Sequence, residues 1–138
     1  MNGECATPYF SQAYVGTNPN DAFIEVKNQS LTQSIPAGKY FMALYANGAT
    51  GASAPTSFVD IGVLAPGEAK VFRNPAAATP AYAVANSTAW PAGVTFDGTN
   101  DVLVLTTATN IAAWTQQIDL MGNSDPWCQN TAMVRSSC

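Results

Sequence analysis

The chain has 138 residues, 47% of them hydrophobic and only 10% charged, with a net charge of −4. That length suits one domain with its own core, and the five scattered basic residues, Lys27, Lys39, Lys70, Arg73 and Arg135, make no patch that could neutralise a row of phosphates or dock on an anionic membrane. No apolar run reaches the roughly 20 residues of a membrane-spanning helix, so neither nucleic acid nor membrane insertion is expected.

The first five residues, Met1-Asn2-Gly3-Glu4-Cys5, have no basic or apolar region of the kind a signal peptide needs. The chain therefore reads as a piece of a longer exported protein. Short runs of aromatic and β-branched residues then alternate with turn residues, which predicts strands throughout. The first covers 9–15 and stops at Gly16-Thr17-Asn18-Pro19-Asn20. The second covers 22–27, where Ala22, Ile24 and Val26 alternate with Phe23, Glu25 and Lys27, the period of a half-buried strand. A third, 39–45, ends at Asn47-Gly48, and the Gly/Ala/Ser/Pro-rich 48–57 reads as an exposed loop. A strand over 58–63 leads to Ala65-Pro66-Gly67, where Pro then Gly occupy the central positions of a type II turn. The next strand covers 68–73.

Segment 74–86 predicts a loop with one short helix, because Pro75 and Pro80 limit its length. Asp97-Gly98-Thr99-Asn100 turns the chain into 101–106, whose Val102-Leu103-Val104-Leu105 is apolar on both faces and predicts a central strand. Segment 111–121 predicts one long or two short strands, and 132–135 a last edge strand. Eight to ten short strands without an internal repeat predict one all-β domain over 1–138, a sandwich or a barrel, with its core in 9–135.

The sequence contains no histidine, which removes Ser-His-Asp and Cys-His catalysis and histidine metal sites. No nucleotide-binding fingerprint occurs, so no cofactor is expected. Acid–base work would fall to Asp21, Glu25, Asp60, Glu68, Asp97, Asp101 and Asp119. Most of these lie beside turn residues, where Asp caps loops, while Glu25 and Asp119 lie on strands with a solvent-facing period. No catalytic pair is expected. Asp97, Asn100 and Asp101 are weak calcium candidates by oxygen density; the full calcium-loop pattern is missing, and a plain turn is the expected reading.

Phe23, Tyr40, Tyr45, Tyr82, Trp90, Trp114 and Trp127 could form a ligand platform, though core packing is the expected place for most of them. The sequons Asn28-Gln29-Ser30 and Asn86-Ser87-Thr88 predict two surface loops. Of Cys5, Cys128 and Cys138, the pair Cys128 and Cys138 is the expected disulfide, clipping the last strand. Cys5 with Cys138 and three free thiols are the alternatives.

The order of segments resembles the lamin tail domain, most closely its exported bacterial branch. Tyr9-Phe10-Ser11-Gln12-Ala13-Tyr14-Val15-Gly16 is similar to that family's opening "FISEYVEG". Ala22 to Ser30 is similar to "xxIEIYNPS", and Leu64-Ala65-Pro66-Gly67 with Val71 to "LAPGxxxV". Phe96 to Leu105 is similar to "FNGDDAVVL", Ile118 to Asn123 to "IDVIGQ", and Ala132 to Ser136 to "TLVRK". The chain departs from the family at 35–45, which lacks "LSGYSL", at Gln12, where an acidic residue is usual, and at Ser136, where a basic one is.

The resemblance implies an immunoglobulin-like β-sandwich. It also implies a non-catalytic role as an accessory domain of a secreted or cell-surface bacterial protein, binding a protein or a surface polysaccharide. A carbohydrate-binding or carbohydrate-active domain is the second reading, and a structural spacer the third.

Overall fold

The computed structural model describes residues 7–49, 51–90, 95–97 and 100–122, and the backbone of Thr131–Val134. Among these residues the chain runs through strands β1 (Pro8–Val15), β2 (Ala22–Asn28), β3 (Phe41–Tyr45), β4 (Ser57–Asp60) and β5 (Ala69–Arg73). A short helix α1 (Ala81–Ala85), strands β6 (Thr88–Ala89) and β7 (Val102–Thr106), a 3-10 helix at Ile111–Ala113, and strands β8 (Gln117–Gly122) and β9 (Thr131–Val134) follow. The strands form a five-stranded sheet, β6-β5-β2-β1-β9, and a four-stranded sheet, β4-β3-β7-β8. Neighbouring strands are antiparallel except β5 and β6, which are parallel.

Alternation decides how the sheets meet. Phe10, Ala13, Val15, Ala22, Ile24, Val26 and Phe72 face inward from the first sheet, against Met42, Leu44, Leu103, Leu105 and Met121 of the second. Trp90 and Phe96, packed edge to face at 6.2 Å, complete this core. Each such large side chain contributes roughly 1.5–3 kcal/mol by leaving water. The chain is thus a β-sandwich, one of the two all-β architectures that its short-strand period allows.

On β1 the inward residues Phe10 and Ala13 are three apart, which a strict period of two forbids. A bulge between Phe10 and Gln12 supplies the extra residue, Ser11. It restores inward facing after the irregularity.

The turns follow their residues. Asn47 and Gly48 both have positive φ, 55° and 78°, and the Ala49 N–H donates to the Ala46 carbonyl at 3.1 Å, a type I′ turn. Gly67 has φ 71°, and the Glu68 N–H closes the Pro66-Gly67 turn on the Ala65 carbonyl at 3.0 Å. Strand β7 is central and buried at all five positions, as its unbroken apolar run predicts. The last strand, β9, lies at the edge beside β1, also as expected.

Two expectations need correction. Segment 111–121 is a strand only from Gln117 onward. Residues 111–113 form a 3-10 turn, because the Asn110 side chain accepts the Ala112 N–H at 2.8 Å and so caps a helical start. Ala113 and Trp114 then cover the outer face of the four-stranded sheet over Ala43, Tyr45, Val102 and Val104. The apolar residues at 113 and 114 therefore serve a second, smaller core. Second, the loop over 48–57 is not wholly exposed. Gly51 lies against the Trp114 indole so closely that a Cβ there would stand 2.3 Å from the Trp114 Cγ. Helix α1 is the one short helix expected in 74–86, and the two-residue parallel strand β6 carries no sequence signal of its own.

Candidate functional site

Six of the seven candidate carboxylates accept hydrogen bonds from donors that the structure defines, and five of these are fastened to backbone N–H groups. Asp21, at the start of β2, accepts the Thr79 hydroxyl at 2.6 Å and the Ala78 and Thr79 N–H groups at 2.7 and 3.0 Å. The Thr79 hydroxyl first, then those N–H groups, hold its carboxyl below the usual carboxylate range, against the opposing push of burial. Asp60 accepts from Gly38 and Gly62, both at 2.9 Å. Glu68 accepts the Ala65 N–H at 2.7 Å, bracing the Pro66-Gly67 turn.

Asp119 of β8 accepts the Phe10 N–H at 2.9 Å and the Leu120 N–H at 2.9 Å. It ties the bulge in one sheet to the far edge of the other, so it is not a free solvent-facing group. The sixth, Glu25, is described with the groove below.

The calcium candidates meet at the β7 entrance. Asp101 is buried and accepts the Asn47 N–H on one oxygen and the Asp97 N–H on the other, each at 2.9 Å. Burial pushes its carboxyl above the usual range, the two N–H groups oppose that push, and neighbouring Asp97 adds to it. Among the described residues no group of three His, Cys, Asp or Glu converges to hold a metal ion. Asp101 is arranged as a clasp between two loops.

Two buried asparagines, which the sequence does not single out as structural, do similar work. Asn28 is fully buried. Its amide nitrogen donates to the Gln33, Leu64 and Ala65 carbonyls at 2.8, 3.2 and 3.2 Å. The first sequon therefore lies in the interior and not on a surface loop, because the Asn28 amide replaces backbone pairing where three segments meet. Asn74 pairs with both the N–H and the carbonyl of Phe96, at 3.0 and 2.8 Å.

Glu25 is the exception among the carboxylates. One oxygen accepts the Ser11 hydroxyl at 2.7 Å, and its side chain lines a groove of about 440 Å³ on the outer face of the five-stranded sheet. That face exists because Gln12, Tyr14, Phe23 and Glu25 occupy the opposite phase to the inward set. The β1–β2 register sets Gln12 against Glu25 and Tyr14 against Phe23. Val71 of β5, opposite Glu25, extends the floor. Pro80, Tyr82, Ala83 and Asn86 of the α1 region form one wall. Pro80 stands just before the first helical residue, a position where its missing N–H costs nothing. The Tyr14 and Phe23 rings are 6.2 Å apart and tilted by 38°, whereas Tyr82 is 75% exposed.

Of the aromatic pool, Phe23, Tyr40, Tyr45 and Trp90 are buried and Trp114 is half-buried. Tyr82 is the exposed one among the described residues, and it shares the groove with Phe23. The signal for Gln12 and Tyr14 is the outward phase of β1, which acquires meaning only once β1 and β2 are in register; Asn86, at the end of α1, carries no groove signal beyond its sequon. Trp127 and the disulfide candidates Cys128 and Cys138, with Cys5, lie outside the described residues.

No helix among the described residues is long and apolar enough to cross a membrane. No protein-family model and no curated protein matches the chain.

Proposed function

We propose that this chain is a non-catalytic interaction domain of a secreted or cell-surface bacterial protein, binding a protein or a surface polymer in the groove above β1, β2 and β5. The observation that carries the reading is the contrast among carboxylates. Asp21, Asp60, Glu68, Asp101 and Asp119 hold the backbone together, and Glu25 alone among the described carboxylates lines the groove. Glycoside hydrolysis requires two carboxyl groups flanking one bond, which favours binding over turnover.

The lamin-tail resemblance is part of the proposal. Strand order supports an immunoglobulin-like arrangement: the second strand pairs with the first and fifth, and the third with the fourth and seventh. That type of sandwich likewise pairs its second strand with the first and fifth and puts the third in the opposite sheet, while here the fourth strand has joined the third.

The test is groove-dependent binding. Peptides selected from a random library and hits from a glycan array are remeasured against Tyr82→Ala. The expected result is a ligand, in at least one format, whose affinity falls more than fivefold in that variant. Ligands indifferent to the substitution, or no ligand in either format, would overturn the reading. So would ester, peptide, phosphoester or glycoside turnover that disappears in Glu25→Gln.

A further inference from the structure

Resting on the binding-module reading, we infer that the groove takes a neutral glycan. The argument starts from hydrogen-bonding capacity. Gln12, Tyr14 and the hydroxyl of Tyr82 make no side-chain hydrogen bond among the described residues. Glu25 uses one oxygen, for Ser11, and Asn86 uses its amide nitrogen, for the Tyr82 carbonyl at 2.7 Å. The groove thus collects an amide, two phenols, a carboxylate oxygen and an amide oxygen that the fold leaves unspent, in a molecule whose other described carboxylates are mostly spent on backbone. Such a set offers both donors and acceptors, which is what a polyhydroxylated ligand needs.

Ring surface supplies the second half. The half-buried Tyr14 ring lies in the floor, tilted against the buried Phe23, and Tyr82 stands exposed on the wall. A sugar ring has an apolar face of C–H groups bounded by hydroxyls, and tyrosine has a matching apolar face with a polar edge. The volume, about 440 Å³, falls in the range of small-ligand sites, roughly 300–1,000 Å³. The floor crosses three strands, about 10 Å between the outer two, which gives room for a short run of sugar residues.

Charge and backbone exclude the main rivals. The one charged side chain among the lining residues is Glu25, on a chain of net charge −4, so an acidic polysaccharide is repelled. An extended peptide binds sheets chiefly by adding a strand at an edge. Here β2, in the middle of the floor, is paired by β1 on one side and β5 on the other, so the centre of the groove offers no free strand edge to such a peptide.

Affinity electrophoresis of the whole chain tests this, in native gels containing hydroxyethyl cellulose, mannan, glycogen, laminarin or, as the acidic comparison, polygalacturonate. Retardation is expected in at least one neutral-polymer gel, reduced more than fivefold in Tyr82→Ala and in Gln12→Ala. Both side chains are exposed, so these variants keep the fold. Ile111→Ala, in the exposed 3-10 turn over the opposite sheet, should bind as the parent does. No retardation in the four neutral gels, equal retardation in all variants, or stronger retardation by polygalacturonate overturns the glycan assignment. If a selected peptide then binds with a more than fivefold dependence on Tyr82, the glycan assignment falls while the binding-module reading stands. If nothing binds through the groove, both fall.

Discussion

Asp21 is buried and makes three hydrogen bonds to Ala78 and Thr79, the two residues that lead into Pro80 and the wall of the groove. Hydrogen bonds to a charged group are worth about 1.5–3 kcal/mol each when deleted singly. Ala78 and Thr79 are exposed, so water replaces part of what is lost. Asp21→Ala should therefore cost about 2–3 kcal/mol at pH 7, well short of a threefold sum. Asp21→Asn, which keeps one acceptor oxygen but no charge, should cost about 1–2 kcal/mol. For a domain of this size that is a fall in Tm of roughly 3–10 °C.

The pH dependence has a definite sign. The Thr79 hydroxyl and the two N–H groups hold the folded carboxyl below its usual value, while the unfolded chain protonates near roughly 3.9. The contribution is therefore complete above about pH 5 and drains away as pH falls through roughly 3.9 toward the folded value, at no more than about 1.4 kcal/mol per pH unit. Asp101, which burial pushes the other way, is present in both proteins and drops out of the difference. Chemical denaturation of parent and Asp21→Asn at pH 7 and pH 3 measures the effect. The deficit should be large at pH 7 and shrink at pH 3. Equal deficits at both pH values, or none at pH 7, would refute the carboxylate clasp.

Three further outcomes follow from the packing. Gly51→Val would drive a side chain into the Trp114 indole, costing about 1–3 kcal/mol by overpacking, with a change in tryptophan fluorescence as the ring leaves Tyr45; an unchanged Tm and spectrum would contradict this contact. The Tyr45 hydroxyl is buried and makes no hydrogen bond of full geometry among the described residues, with the Trp114 backbone as a polar neighbour, so Tyr45→Phe should be neutral or stabilising by up to about 1 kcal/mol, and a clear loss in urea denaturation would show that the Trp114 backbone is a true partner. Asn28→Ala removes a fully buried amide that donates to the Gln33, Leu64 and Ala65 carbonyls; Leu64 and Ala65 keep their backbone donors Ile35 and Glu68, so the cost should be about 1–3 kcal/mol, read as a fall in denaturation midpoint, whereas a loss under about 0.5 kcal/mol would refute a structural role for this amide.

Local chemistry made much of this fold legible from the sequence. Ala22, Ile24 and Val26 had to share a face because a strand repeats every two residues. Asn47-Gly48 and Pro66-Gly67 had to turn because of the φ values those residues tolerate. Val102 to Leu105, apolar on both faces, could sit only inside a sheet covered on two sides. These properties depend on neighbours a few positions apart, so a linear reading captures them.

What the sequence left open depends on partners far away along the chain. Asp119 meets Phe10 across 109 positions, Asp21 meets Ala78 across 57, and Asp101 meets Asn47 across 54. A carboxylate that clasps backbone looks the same in sequence as one that could act on a ligand. The bulge at Ser11 shifts the phase of β1 by one residue, and only the resulting register places Gln12 beside Glu25 and Tyr14 beside Phe23. Trp114 and Ala113 carry the residue types of a buried strand, yet Asn110 starts a helical turn that lays them over Tyr45 instead. The local periodicity determined a domain of short strands, and their pairing made it a sandwich. Tertiary pairing decided which polar groups the fold consumes and which it leaves facing outward in the groove, because hydrogen bonds are satisfied by proximity in space and not by order along the chain.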